Sequence, residues 1–397
     1  MNKFQIISKI ATLCLVSFCG LNALDWYYDT STRIEALGID FAGVLADRQT
    51  DIDIRNPVYL KDYRVVTIVH RGYYYTNYSM PINLSQFYRK FGLALRYGGH
   101  YFRNLDPVYP KDQLYRFNFS GYWTFSDIGL HYDFYLEDKT IEQINNTLER
   151  TTISENFTFH TITFGYQPKA MKGFDIRCRL SLGTYDSVAS EFIGGQLSPI
   201  GQIDFLIPSA QVGISYERLV TDNSSLCLLI DMGGPASAYE AKRLPISFRN
   251  SVKRNEQGEP VKLNIFANSF STRVAGAISI TPSQSLLIAL GVNEFWSGVK
   301  TKQVNPSTFW YNFFALPLAI EYQLNSIIAI RGGFSTNYYY QYNKQEQSNE
   351  GQIYSSWGTS QSFGLSFRVC QNWYLDLSSF SNLLQIESIN LALRKEW

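Results

Sequence analysis

The chain has 397 residues, of which 17% are charged and 45% hydrophobic, and its formal net charge is +1. That near-neutral balance gives no electrostatic case for nucleic acid or a strongly acidic partner. A soluble chain of this length would divide into about two or three domains, whereas a single closed transmembrane sheet can absorb all of it. The aromatic content is the informative figure: 16%, with 28 Tyr, 27 Phe and 7 Trp. Tyr and Trp suit a membrane interface, where an apolar ring with a polar tip meets the headgroups.

The N-terminus reads as a secretory leader over residues 1–23. Lys3 and Lys9 supply the positive region, Ile10 to Phe18 the apolar segment, and Leu21-Asn22-Ala23 the cleavage site. Phe18 before Cys19 is too bulky for lipoprotein processing. No other stretch approaches the roughly 18 apolar residues of a membrane-spanning helix. Of the five Cys, two leave with the leader; Cys178, Cys227 and Cys370 remain at unrelated spacings, which predicts neither a disulfide scaffold nor a metal site.

Residues 24–54 form a mixed segment with small residues and little strict alternation. Tyr63–Tyr75 is a candidate strand, although Val65-Val66-Thr67-Ile68-Val69 does not alternate. From about residue 90 a side-chain period of two sets in, which marks strands between two unlike media. It runs through Phe91, Leu93, Leu95 and Tyr97, then through Tyr115 to Trp123. The stretch Ile128, Leu130, Tyr132, Phe134, Leu136 is the cleanest, with Gly129, His131, Asp133, Tyr135 and Glu137 between. In Phe174, Ile176, Cys178, Leu180, Leu182 the interleaved residues include Arg177 and Arg179. Two arginines are unfavourable facing lipid, so Arg177, Arg179, His131 and Asp133 are assigned to the lumen. Further pairs follow around turns at Thr221–Ser224, Pro282–Gln284, Leu324–Ser326 and Gln371–Asn372.

Short turns alternate with long polar intervals: 138–155, 183–207, 233–267, 296–310 and 337–359. Short turns on one side and long loops on the other are the signature of an outer-membrane barrel. The fold class is therefore all-β: a transmembrane antiparallel up-and-down β-barrel over residues 90–397. Parity of the short turns gives about 14 strands, and about 12 or 16 if Tyr63–Tyr75 joins the wall with a further strand.

The last strand carries Ile389, Leu391, Leu393 and Trp397 on one face, and Asn390, Ala392, Arg394 and Glu396 on the other. It resembles the assembly signal of outer-membrane barrels, which typically closes on Phe or Trp. The implied location is the bacterial outer membrane, with membrane lipids and the barrel-assembly machinery as partners. Lys395 beside Trp397 places the strand's end at the periplasmic interface, where a Lys can snorkel to the headgroups.

Ahead of the barrel stand Ala36-Leu37-Gly38, then Leu45-Ala46-Asp47, then Asn56-Pro57-Val58-Tyr59-Leu60. This order resembles the N-terminal segment of FadL-like transporters and the related PorV/PorQ-type barrels. Ile39 stands where that family usually has a second Gly, and Val58 where it has Ala. In the transporters this segment folds into the lumen as a hatch. The resemblance thus implies a hatch-like segment over residues 24–89, with Ala36, Leu37, Gly38, Asp47, Asn56 and Pro57 as its marker positions. Asp47, Asp51 and Asp53 would then need lumenal partners, and Arg177 and Arg179 are candidates.

No His-Glu-x-x-His, Gly-x-Ser-x-Gly or phosphate-loop motif is present among the four His and their surroundings. His131 and Asp133 lie on one side of one strand, roughly 6–7 Å apart by strand geometry; they read as wall residues, and no catalytic residue, cofactor or metal is assigned. The basic interval 233–267 reads as a solvated outer loop. The resemblance implies passive transport of small hydrophobic compounds. The alternatives are a PorV/PorQ-like barrel assisting protein secretion or surface attachment, with a secretion-system partner, or a general porin.

Overall fold

A computed structural model describes residues 64–71, 82–88, 91–102, 111–144, 150–193, 196–234, 257–259, 261–266, 268–300, 307–345, 351–380 and 389–396. The leader and residues 24–63 of the hatch-like segment, Ala36 to Pro57 included, lie outside the described residues, as does Trp397.

Seventeen strands form one sheet. In chain order they are β1 (Arg64–Arg71), β2 (Ile82–Tyr88), β3 (Phe91–Phe102), β4 (Lys111–Phe125), β5 (Ile128–Ile144), β6 (Arg150–Tyr166), β7 (Phe174–Ile193), β8 (Gln196–Thr221) and β9 (Ser224–Gly233). They continue with β10 (Val261–Phe266), β11 (Asn268–Ser283), β12 (Leu286–Lys300), β13 (Ser307–Gln323), β14 (Ile328–Gln345), β15 (Gln352–Cys370), β16 (Trp373–Phe380) and β17 (Ile389–Glu396). Each wall strand pairs antiparallel with the next, and β9 pairs directly with β11. β17 pairs with β16 on one side and β1 on the other, and β1 pairs with β2. The ring is therefore closed. β10 pairs parallel with β8 beyond the end of β9, in the place that β9 holds lower down. Among the described residues, seventeen less one leaves sixteen strands around the wall.

The wall thus begins at Arg64 and not at residue 90, because β1 and β2 both belong to it. Sixteen is the count parity requires once the Tyr63–Tyr75 stretch is joined by β2. β1 hides from pattern reading because Val65–Val69 is a continuous apolar run, and β2 because Gln86 and Phe87 break its alternation.

Strand length also departs from expectation. β5 runs to Ile144, β6 starts at Arg150, β7 runs to Ile193 and β8 starts at Gln196. Much of the intervals 138–155 and 183–207 is therefore strand that rises past the apolar zone. There the outward row turns polar, so the alternation fades while backbone pairing persists.

The tight turns after β4, β8, β11, β13 and β15 fall at one end, here called the turn end. The β4–β5 turn places Ser126 at φ 53° and the β15–β16 turn places Asn372 at φ 63°, as tight hairpin turns demand. β17 ends there too, with Glu396 opposite Val65. Lys395 lays its ammonium 5.5 Å from the centre of the Trp373 ring.

Outward-facing residues form an apolar belt. On β7 it comprises Ile176, Cys178, Leu180 and Leu182, all exposed, and gives way to exposed Thr184 and Asp186. About ten tilted residues are what a membrane-spanning strand needs. Aromatic residues flank the belt: Trp123, Phe125, Tyr166 and Tyr322 at the turn end, Tyr115, Trp296 and Trp310 at the other. The interleaved residues are buried on the inner face. In a closed antiparallel ring this is a transmembrane β-barrel.

Candidate functional site

The inner face near the turn end is ionic. Arg177 on β7 reaches across β8 to Asp231 on β9, its Nε donating to Asp231 Oδ1 at 2.9 Å and Nη2 to the same oxygen. Arg331 on β14 donates Nε to Glu321 Oε2 at 2.5 Å on β13 and Nη1 to Asp376 Oδ1 at 3.3 Å on β16. All but Glu321 of these are buried. Arg177 thus ties β7 to β9 across β8, and Arg331 ties β13, β14 and β16, geometries that the planar guanidinium fork suits.

Arg179 donates to Thr163 Oγ1 and Gln211 Oε1, both at 3.2 Å. Asp133 accepts from Asn118 Nδ2 at 2.8 Å and from Ser120 Oγ at 2.5 Å. The His131 ring stacks on Tyr122, centroids 4.2 Å apart and 1° from parallel. His131 and Asp133 are thus drawn into different contacts on the β4 side. All four sequence-assigned lumen residues lie on the inward parity of their strands. The structure brings Arg177 to Asp231, a partner that sequence spacing could not name. Asp47, Asp51 and Asp53 lie outside the described residues.

Above this ionic zone the inner wall turns aromatic. Phe157 and Phe159 on β6 lie 6.1 Å apart, and Tyr135 on β5 lies 5.9 Å from Phe157. Phe159 pairs with Gly183 on β7, and Gly183 with Ile207 on β8. A Cβ at Gly183 would stand 2.9 Å from Phe159 Cδ2 and 3.4 Å from Ile207 Cβ. The glycine therefore lets Phe159 lie across β7 toward Ile207. Phe159 and Ile207 are both 0% exposed. Further round the wall, Phe313 and Tyr339 lie 4.9 Å apart, with Tyr311 6.4 Å from Tyr339. Glu137 at the cluster's edge accepts from Arg116 Nε at 2.7 Å and Tyr135 Oη at 2.6 Å. Tyr185 Oη donates to Glu155 at 2.6 Å. The carboxylates beside the aromatic residues are thus hydrogen-bonded.

The aromatic track leads to an interruption of the wall. β9 stops at Gly233, opposite Gln211 on β8 and Ser271 on β11. β10 takes its place beside β8 only from Leu206 upward. Among the described residues, Ile207–Ala210 therefore have a strand partner on the β7 side alone. Pro208, with no N–H to give a ladder, stands within that stretch. Gly233 adopts φ 143°, and a Cβ there would strike Ala210 O. Gly234 N donates to Ala210 O at 2.9 Å, and Ser271 Oγ donates to Gly234 O at 2.9 Å. A Cβ on Gly234 would strike the Ser209 side chain. Ser209 and Ser271 belong to the inner row, so Gly234 itself stands against the lumenal side of the wall. On the outer side Leu206, Pro208 and Ala210 are exposed, level with Leu182 in the belt through the β7–β8 register.

Sequence parity assigned Arg177 and Arg179 to the lumen, and neither the aromatic track nor the gap in the β8 ladder was read from it. The signals available were Pro208 inside an alternating stretch and the Gly233-Gly234 pair.

No family model matches the chain, and no curated protein matches it. Among solved structures it is similar to a Pseudomonas aeruginosa FadL homologue, at 10% identity over 95% of this chain and 99% of that one, with a TM-score of 0.46. It is similar to the CymD monoaromatic hydrocarbon channel at 9% identity over 93% and 97%, with a TM-score of 0.44. CdiB from Acinetobacter baumannii matches at 9% identity and a TM-score of 0.44, over 84% of this chain and 59% of that one, so the chain spans about three fifths of it. At these scores the likeness names neither a family nor a substrate.

Proposed function

We propose that the protein is a bacterial outer-membrane barrel that passes small hydrophobic compounds without energy input. One observation carries this reading. The apolar track Tyr135–Phe157–Phe159–Ile207 crosses the inner wall and ends, at belt height, where no strand among the described residues pairs with Ile207–Ala210 on the β9 side. A channel for hydrophilic solutes gains nothing from such a lining, whereas a hydrophobic solute loses its water cage along it.

A ring of sixteen strands is wide enough for an aqueous channel. Complete burial of Phe159 and Ile207 inside so wide a ring supports a lumen that is filled at this level. The segment Ala36–Pro57, by its resemblance to a hatch, is the occupant we favour.

The experiment is uptake of a labelled alkane by cells expressing the full chain or Phe159→Asp, with folding checked by heat-modifiable migration. The proposal expects uptake to fall at least about tenfold in a folded variant. Equal uptake in both, or large single-channel conductance to ions, would replace it with a wall-binding or porin role.

A further inference from the structure

We propose that a second copy of this chain docks side by side on the outer face of β13–β15, just above the hydrocarbon belt. The observation is one-sided. On β5–β7 the outward residues above the belt are polar, with Asp138, Asn156 and Asp186 all exposed. On β13–β15 large aromatic and apolar residues persist there among uncharged polar ones such as Ser355 and Thr359. Trp310 pairs with Tyr342, and Tyr342 with Ile353, while Tyr338 packs against Trp357 with centroids 4.8 Å apart. Ile353 is 65% and Trp357 69% exposed.

Height excludes lipid as the sole cover. Trp357 stands about 13 residues and Ile353 about 17 from the turn end of β15 at Cys370. At roughly 3.3 Å per residue and ~40° tilt that is about 33 and 43 Å, against an apolar band ~25 Å tall. The patch therefore projects beyond the hydrocarbon, where exposed apolar surface marks an interaction site.

The occupant follows from three features. The patch is continuous with the belt through Phe334 and Leu316, so its partner stands in the same membrane. A second copy alongside, related by a two-fold axis along the membrane normal, brings the same rim to the same height. From Asn312 to Trp310, from Thr336 to Tyr342 and from Ile353 to Gln361, the outward positions carry no charge. Self-pairing therefore meets like charge only at the upper rim, where Lys344 follows Tyr342 on the outward row. With large side chains of roughly 150–250 Å² each, about half exposed, the patch and adjoining belt offer roughly 600–800 Å² per copy, close to a standard interface.

The test is cysteine cross-linking of the full chain in native outer membranes. Cys178 is replaced by Ser, and Cys is placed at outward Ser355 or, as a control, at Asp186. Oxidation is expected to give a homodimer band for Ser355→Cys and none for Asp186→Cys. Adding Trp357→Glu should reduce the dimer at least about fivefold while heat-modifiability persists. No dimer from Ser355→Cys, an equal dimer yield with Trp357→Glu, or cross-linking to a different protein in place of a homodimer would overturn the proposal.

Discussion

Arg177 and Asp231 meet across an intervening strand, and Gly213 on that strand is what lets them. The register puts Arg177 opposite Gly213 and Gly213 opposite Asp231. A Cβ at Gly213 would collide with Asp231 Oδ1 and Arg177 Nε. The pair ties the short β9 to β7 directly below the wall interruption.

Removing one partner leaves a buried, uncompensated charge. Asp231→Leu is expected to destabilise the barrel by about 3–5 kcal/mol, whereas Arg177→Met with Asp231→Leu recovers most of that loss. The urea midpoint of the heat-modifiable band in detergent measures both. Equal loss in the single and double variants would show that the ion pair is not the source.

The belt predicts a depth-dependent cost for charge on the outer face. Leu180→Arg, inside the belt, should cost about 2–4 kcal/mol, and Asp186→Arg, above it, about 0–1 kcal/mol. Folding titrations into lipid vesicles separate the two. Equal costs would move the membrane away from the assigned band.

Much of the wall was legible because the lipid-facing row is apolar and the lumenal row polar, as in Ile128–Leu136 against His131, Asp133 and Glu137. β1 was not, since the Val65–Val69 run fits either face. The upper parts of β5–β8 were read as loops because their outward rows turn polar, as at Asp138, Asn156 and Asp186. The aromatic track could not be read at all. Phe159 and Ile207 are far apart in the chain, and only the register through Gly183 brings them together. The hatch-like segment rests on its resemblance alone.

Gly183 offers a test of that track distinct from Phe159. Gly183→Val would push a side chain between Phe159 and Ile207, an overpacking worth about 1–3 kcal/mol. The barrel should still fold, with a lowered urea midpoint and reduced alkane uptake. Unchanged uptake in the folded variant would remove the track from the transport route.

The central claim is that hydrophobic compounds cross this barrel along its aromatic inner wall. The most direct measurement is initial uptake of a labelled alkane against a labelled sugar, in cells carrying the full chain, Phe159→Asp, or neither. The account predicts alkane uptake well above background for the full chain, background uptake for Phe159→Asp, and sugar uptake at background throughout. Sugar uptake that rises with the chain while alkane uptake does not would contradict it.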